Sequence, residues 1–128
     1  MIAVDTNVLV RALVDDPGEP RQTALARARL KKAKQVYVPQ IVQVETVWVL
    51  DAAHGLSKNE ILRVLDHLLD NAAFALQRWE QFKLALQDYR NGGADFADYL
   101  ILAESKAEAS TLVTFDKRLL KALDTQAP

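Results

Sequence analysis

The sequence predicts an α/β protein, a three-layer α/β/α sandwich around a central parallel sheet. Three observations carry that expectation. Short β-branched or aromatic runs recur at IAV (2–4), VYV (36–38), AFAL (73–76) and TLVTF (111–115). Segments with helical apolar spacing lie between them, and strands that alternate with helices imply parallel pairing, because a crossover helix returns the chain to its starting edge. The 128 residues are expected to form one domain, 1–128, long enough to bury a single core.

The elements follow in order. The first run ends at Asp5, and DDPGEP (15–20) reads as a loop that puts Pro20 in the first turn of the next helix. That helix, RQTALARARLKKAK, carries Arg21, Arg27, Arg29, Lys31, Lys32 and Lys34 and no acid. After VYVP comes IVQVETVWVLDAA, a helix apolar almost all round in which Trp48 is expected to be buried and which Gly55 closes. SKNE (57–60) is a capping box for a helix whose stripe is Ile61, Leu62, Leu65, Leu68 and Leu69. Trp79, Phe82, Leu86 and Tyr89 form a second core stripe, ended by NGG (91–93), and DFADYLI opens the last long helix.

Composition excludes several kinds of chemistry. No cysteine is present, so there is no disulfide framework, thiolate zinc site or cysteine nucleophile. MIAVDTNVLVRALVDD is apolar but is interrupted by Asp5 and Arg11 well short of a membrane span, and a cytoplasmic protein with no membrane association is expected. A net charge of -1 gives no global basic field, so a nucleic-acid partner has to be held by a local patch. The basic helix is the one such patch, with a solvated charged face as its ordinary alternative.

The acids are the more telling pattern. In an open parallel sheet, ligands gather at the carboxyl ends of the strands, where helix amino termini also point. Asp5 and Asp116 each end a strand, Glu45 lies early in the helix after VYVP, and Asp98 lies in the first turns of the helix before the last strand. These four are expected to meet in one crevice. Glu45, alone in an apolar helix, is expected to need a compensating charge. Asp95 has two readings, as a helix N-cap or as a metal contact. Asp15, Asp16, Asp51, Asp66, Asp70, Asp88 and Asp124 suggest no chemistry, and His54 and His67 read as surface residues. Clustered carboxylates repel unless a cation neutralises them, and an all-oxygen set suits magnesium or manganese. The chemistry that follows is phosphodiester hydrolysis.

AVDTNVLV, VETVWVL, DFADYLILAES and LVTFDKRL resemble, in order and spacing, the acidic motifs of PIN-domain nucleases, and of VapC-type toxins of toxin–antitoxin pairs in particular. The resemblance runs from Asp5 to about Leu119. It implies an endoribonuclease dependent on Mg2+ or Mn2+, with Asp5, Glu45, Asp98 and Asp116 as the catalytic acids and Asp5 and Asp98 as metal ligands. Asp95 resembles an additional acid of some members, and Thr6, Asn7 and Thr114 the small polar residues that hold the carboxylates. A homodimer and a cognate antitoxin that covers the site are also implied, with RNA as substrate. Members often add a final strand, for four or five in the sheet, whereas KRLLKALDTQAP offers no β-rich run. An RNA substrate would give Arg27, Arg29, Lys31, Lys32 and Lys34 a role as phosphate contacts, and would set Lys117 and Arg118 against it too. Two other readings stay open: a non-catalytic binding module on the same fold, and a PIN nuclease of RNA processing.

Overall fold

Every strand of the protein pairs in parallel. The computed structural model describes residues 1–128, and they fall into two compact units, Met1–Gln77 and Arg78–Pro128. In the first unit, β1 (Ile2–Ala3), β2 (Val36–Val38) and β3 (Phe74–Leu76) form a sheet with β2 in the middle, Ile2 opposite Val36 and Val38 opposite Leu76. Parallel neighbours need long crossovers. α1 (Thr6–Leu13) and α2 (Pro20–Lys32) connect β1 to β2, and α3 (Gln40–Ala52) and α4 (Lys58–Asp70) connect β2 to β3.

Local chemistry sets the helix boundaries. Pro20 is the first residue of α2, where its missing N–H costs nothing. Gly55, at φ +62°, takes the left-handed position after α3, and the Leu56 N–H bonds back to the Leu50 carbonyl at 3.0 Å. Ser57 and Glu60 form the capping box of α4. α4 buries Ile61, Leu62, Leu65 and Leu68, which join Leu9, Val38 and Leu50 in the core of this unit. α2 buries only Ala26 and is tied to α1 by hydrogen bonds, from Arg27 to the Ala12 carbonyl at 3.1 Å and from Arg11 to Gln22 Oε1 at 3.0 Å, while Asp15 and Asp16 of the loop between them pair with Arg27 and Arg11 at 2.7 and 2.9 Å.

The buried polar residues of α3, Gln43 and Thr46, do not include the one expected. Gln43 is fully buried and donates from Nε2 to the Val38 and Gln77 carbonyls, at 3.2 and 2.9 Å, tying the ends of β2 and β3 together. Glu45 is exposed, so its charge is solvated and needs no compensating partner. Trp48 is 71% exposed and Ile41 69%, which corrects the expectation of a buried Trp48. An apolar helix shows in its sequence how much it has to bury, not which of its faces has a neighbour.

In the second unit, α5 (Trp79–Asn91) packs on α6 (Phe96–Ala107). Phe96 lies edge-on to Phe82 and Tyr89, with ring centres 5.6 and 5.8 Å apart. Phe82, Leu86 and Tyr89 are buried as the stripe predicts, but Trp79, the first residue of α5, is 54% exposed. Gly92 follows α5 because a Cβ there would collide with the Tyr99 hydroxyl. β4 (Leu112–Val113) pairs with a fifth strand, β5 (Thr125–Gln126), past a short 3-10 turn at Leu119–Lys121. The tail thus supplies the strand that its residues do not announce. Leu112 N–H to the Asp124 carbonyl and Thr114 N–H to the Gln126 carbonyl, both 3.0 Å, make this ladder with backbone alone. The five strands form ladders of three and two. No helix is long and apolar enough to cross a membrane.

Candidate functional site

The second unit brings three of the acids together. Asp95 stands at the N-cap of α6 in extended conformation, yet its carboxylate makes no capping hydrogen bond. Asp98 follows in the first turn, its N–H bonded to the Asp95 carbonyl at 3.0 Å. Asp116 comes just after β4, where its Oδ1 accepts from the N–H groups of Arg118 and Leu119, at 2.8 and 3.3 Å, and so closes a tight turn. The Thr114 hydroxyl accepts the Asp116 N–H at 3.0 Å, so Thr114 fixes the backbone of that turn. Arg118 Nη2 reaches Asp116 Oδ2 at 3.5 Å.

This arrangement drives two neighbouring carboxyls in opposite directions. Burial, then the charges of Asp95 and Asp116, push Asp98 above the ordinary aspartate range, against a backbone hydrogen bond and Arg118. At Asp116 burial also acts to raise the pKa, but the two backbone N–H groups and the Arg118 side chain outweigh it and hold the group below its usual value. Arg118 is itself stabilised as a cation, first by its hydrogen bond to Asp116 and then by the charges of Asp116, Asp95 and Asp98.

The first unit holds the remaining candidates. Asp5 is the N-cap of α1 and accepts the Val8 N–H on Oδ1 at 3.0 Å. It lines a cavity of about 350 Å³ with Asn7, Arg11, Leu25 and Arg29. Thr6 is buried at the first turn of α1, and Glu45 faces solvent on α3. Arg29, Lys31, Lys32 and Lys34 are exposed at and after the end of α2, whereas Arg27 is engaged by Asp15. His67 is exposed, edge-on to Phe74, and His54 is half-buried.

No three aspartate, glutamate or histidine side chains stand close enough to form a ready-made metal cage. The donor set nevertheless fits a hard divalent ion. All of its members are carboxylates, and magnesium keeps much of its water shell and needs only one or two of them. The crowding of Asp98 by two like charges is what a bound cation relieves. Sequence reasoning passed over Asp88, Asn91 and Lys121, which line a further cavity of this unit, because NGG reads only as a helix terminator.

No curated protein matches the chain. The PIN domain family model matches residues 2–124. With that match over nearly its whole length, the chain belongs to the PIN domain family, a fold whose members are generally nucleases.

Proposed function

We propose that this protein is a divalent-metal-dependent endoribonuclease, and that it acts as the toxin of a VapC-type toxin–antitoxin pair. The observation that supports this reading is the cluster of Asp95, Asp98 and Asp116 beside Arg118 in a chain of the PIN family. In this reading Asp5 and Asp98 are the ligands of Mg2+ or Mn2+, and Glu45 and Asp116 complete the acid set. Such an ion, when bound, acidifies water and offsets charge on the phosphodiester. Asp116, held by two backbone amides as an anion, is suited to attract a cation. Arg118 offers donors to a phosphate oxygen beside it. Arg29, Lys31, Lys32 and Lys34 add sequence-independent, salt-dependent affinity for RNA. A single domain over 1–128, a homodimer, a cognate antitoxin and a cytoplasmic location go with the proposal.

The test is incubation of purified protein with RNA in Mg2+ or Mn2+, with and without a chelator. Cleavage that the chelator abolishes is the expected result. The other reading is a PIN-fold binding module without catalysis. RNA left intact in both metals, with no metal binding by calorimetry, would select that alternative.

A further inference from the structure

A cavity of about 350 Å³ in the second unit, within the range of small-ligand pockets, is lined by Asp88 and Asn91 of α5, by Gly92 and Gly93, and by Arg118 and Lys121 of the 3-10 turn region. Its polar groups are of two kinds. Arg118 and Lys121 present positive charge and N–H donors, whereas the Asp88 carboxylate only accepts. Asp88 makes no side-chain ion pair or hydrogen bond within the chain, although two cations line the same space. The Tyr99 oxygen accepts the Ala94 N–H at 3.2 Å, and its own O–H adds a further donor to the lining. A ligand that satisfies the cavity therefore carries an anion and also adjacent N–H donors.

Arg118 links this cavity to the acid cluster, since the same side chain contacts Asp116. A nucleotide next to the acids supplies the anion as its phosphate, and the base edge meets Asp88. Among the four RNA bases only guanine presents two neighbouring N–H donors, N1–H and N2–H, with no acceptor between them. The amino groups of adenine and cytosine flank an acceptor nitrogen, and the N3–H of uracil lies between two carbonyls. Unstacked RNA bases are read on these edges.

We propose that the cavity is a guanine-nucleotide subsite: Asp88 accepts from N1–H and N2–H of the base, and Arg118 and Lys121 hold the phosphate of a guanosine beside the scissile bond. That the guanosine belongs to an RNA strand rests on the nuclease reading; recognition of the nucleotide does not.

The test titrates the whole protein, without added divalent ion, with GMP, AMP, CMP and UMP, followed by NMR. GMP is expected to bind about tenfold or more tightly than the others. Asp88→Asn equalises the four, and Lys121→Ala weakens all of them without changing their order. Gly93→Leu, at a position where a Cβ meets nothing nearer than Arg118 Cδ at 4.0 Å, fills the space and blocks all four, which tests the cavity even if Asp88→Asn fails to fold. Equal binding of the four nucleotides by the wild type, or GMP affinity untouched by Gly93→Leu, overturns the subsite. Metal-dependent RNA cleavage without GMP binding also overturns it and leaves the nuclease reading intact. GMP preference without RNA cleavage supports the subsite and removes the nuclease reading.

Discussion

The starts of α1 and α6 carry the same residue in the same place and use it differently. Asp5 and Asp95 are both N-caps in extended conformation, at φ -86° and -74°. At α1 the amide three residues on, Val8 N–H, is bound by the Asp5 carboxylate. At α6 the equivalent amide belongs to Asp98 and goes to the Asp95 backbone carbonyl, while the Asp98 charge and the Asp95 charge repel. One carboxylate stabilises its helix. The other makes no cap and stands beside a second acid, where the charge of Arg118, or of a bound cation, offsets the repulsion. The capping position alone therefore does not decide an aspartate's role: Asp5 caps α1 with Oδ1 and keeps Oδ2 for other partners, whereas neither oxygen of Asp95 caps α6.

The comparison can be broken or sharpened by substitution. The largest stability effect belongs to Phe96, the first residue of α6, which is 1% exposed against two aromatic rings. Phe96→Ala is expected to cost about 3–5 kcal/mol by denaturant unfolding. Trp48→Ala, on the exposed face of α3, should stay within about 0.5 kcal/mol. Next come the two caps themselves. Asp5→Ala should cost about 0.5–2 kcal/mol, and Asp95→Ala should stay within about 0.5 kcal/mol. Equal losses would show that Asp95 caps its helix after all.

The smallest effect is a pH dependence at a third helix start. Hydrogen bonds from the Ser57 backbone and hydroxyl partner hold Glu60 below its ordinary pKa. A depressed carboxyl adds stability above its unfolded value, near pH 4.3, and that contribution disappears as pH falls through the folded value. Thermal melts between pH 7 and 3 should show it, and Glu60→Gln, which keeps the box, should remove that part of the slope.

Much of this was legible in the residues, for identifiable reasons. Ser57, Gly55, Pro20 and the Ile61–Leu68 stripe each encode their role locally, through a cap, a left-handed turn, a fixed φ and a period of 3.6. Trp48 and Trp79 failed because burial depends on what lies opposite, which one helix's periodicity does not contain. β5 failed because two residues joined through backbone have no side-chain pattern to read. At the candidate site the acids themselves were visible. The non-capping carboxylate of Asp95, the opposed shifts of Asp98 and Asp116 and the unpartnered Asp88 depend on neighbours brought close by folding.

The most direct test of the metal-centre reading is induced expression of the wild type beside Asp98→Asn, with growth and total RNA followed over time. Burial and two like charges oppose ionisation of Asp98, so the variant should fold at least as stably as the wild type, and any lost activity reports on chemistry. Growth arrest with discrete RNA fragments in the wild type, and neither in the variant, is the predicted result. Equal growth with intact RNA in both would contradict it.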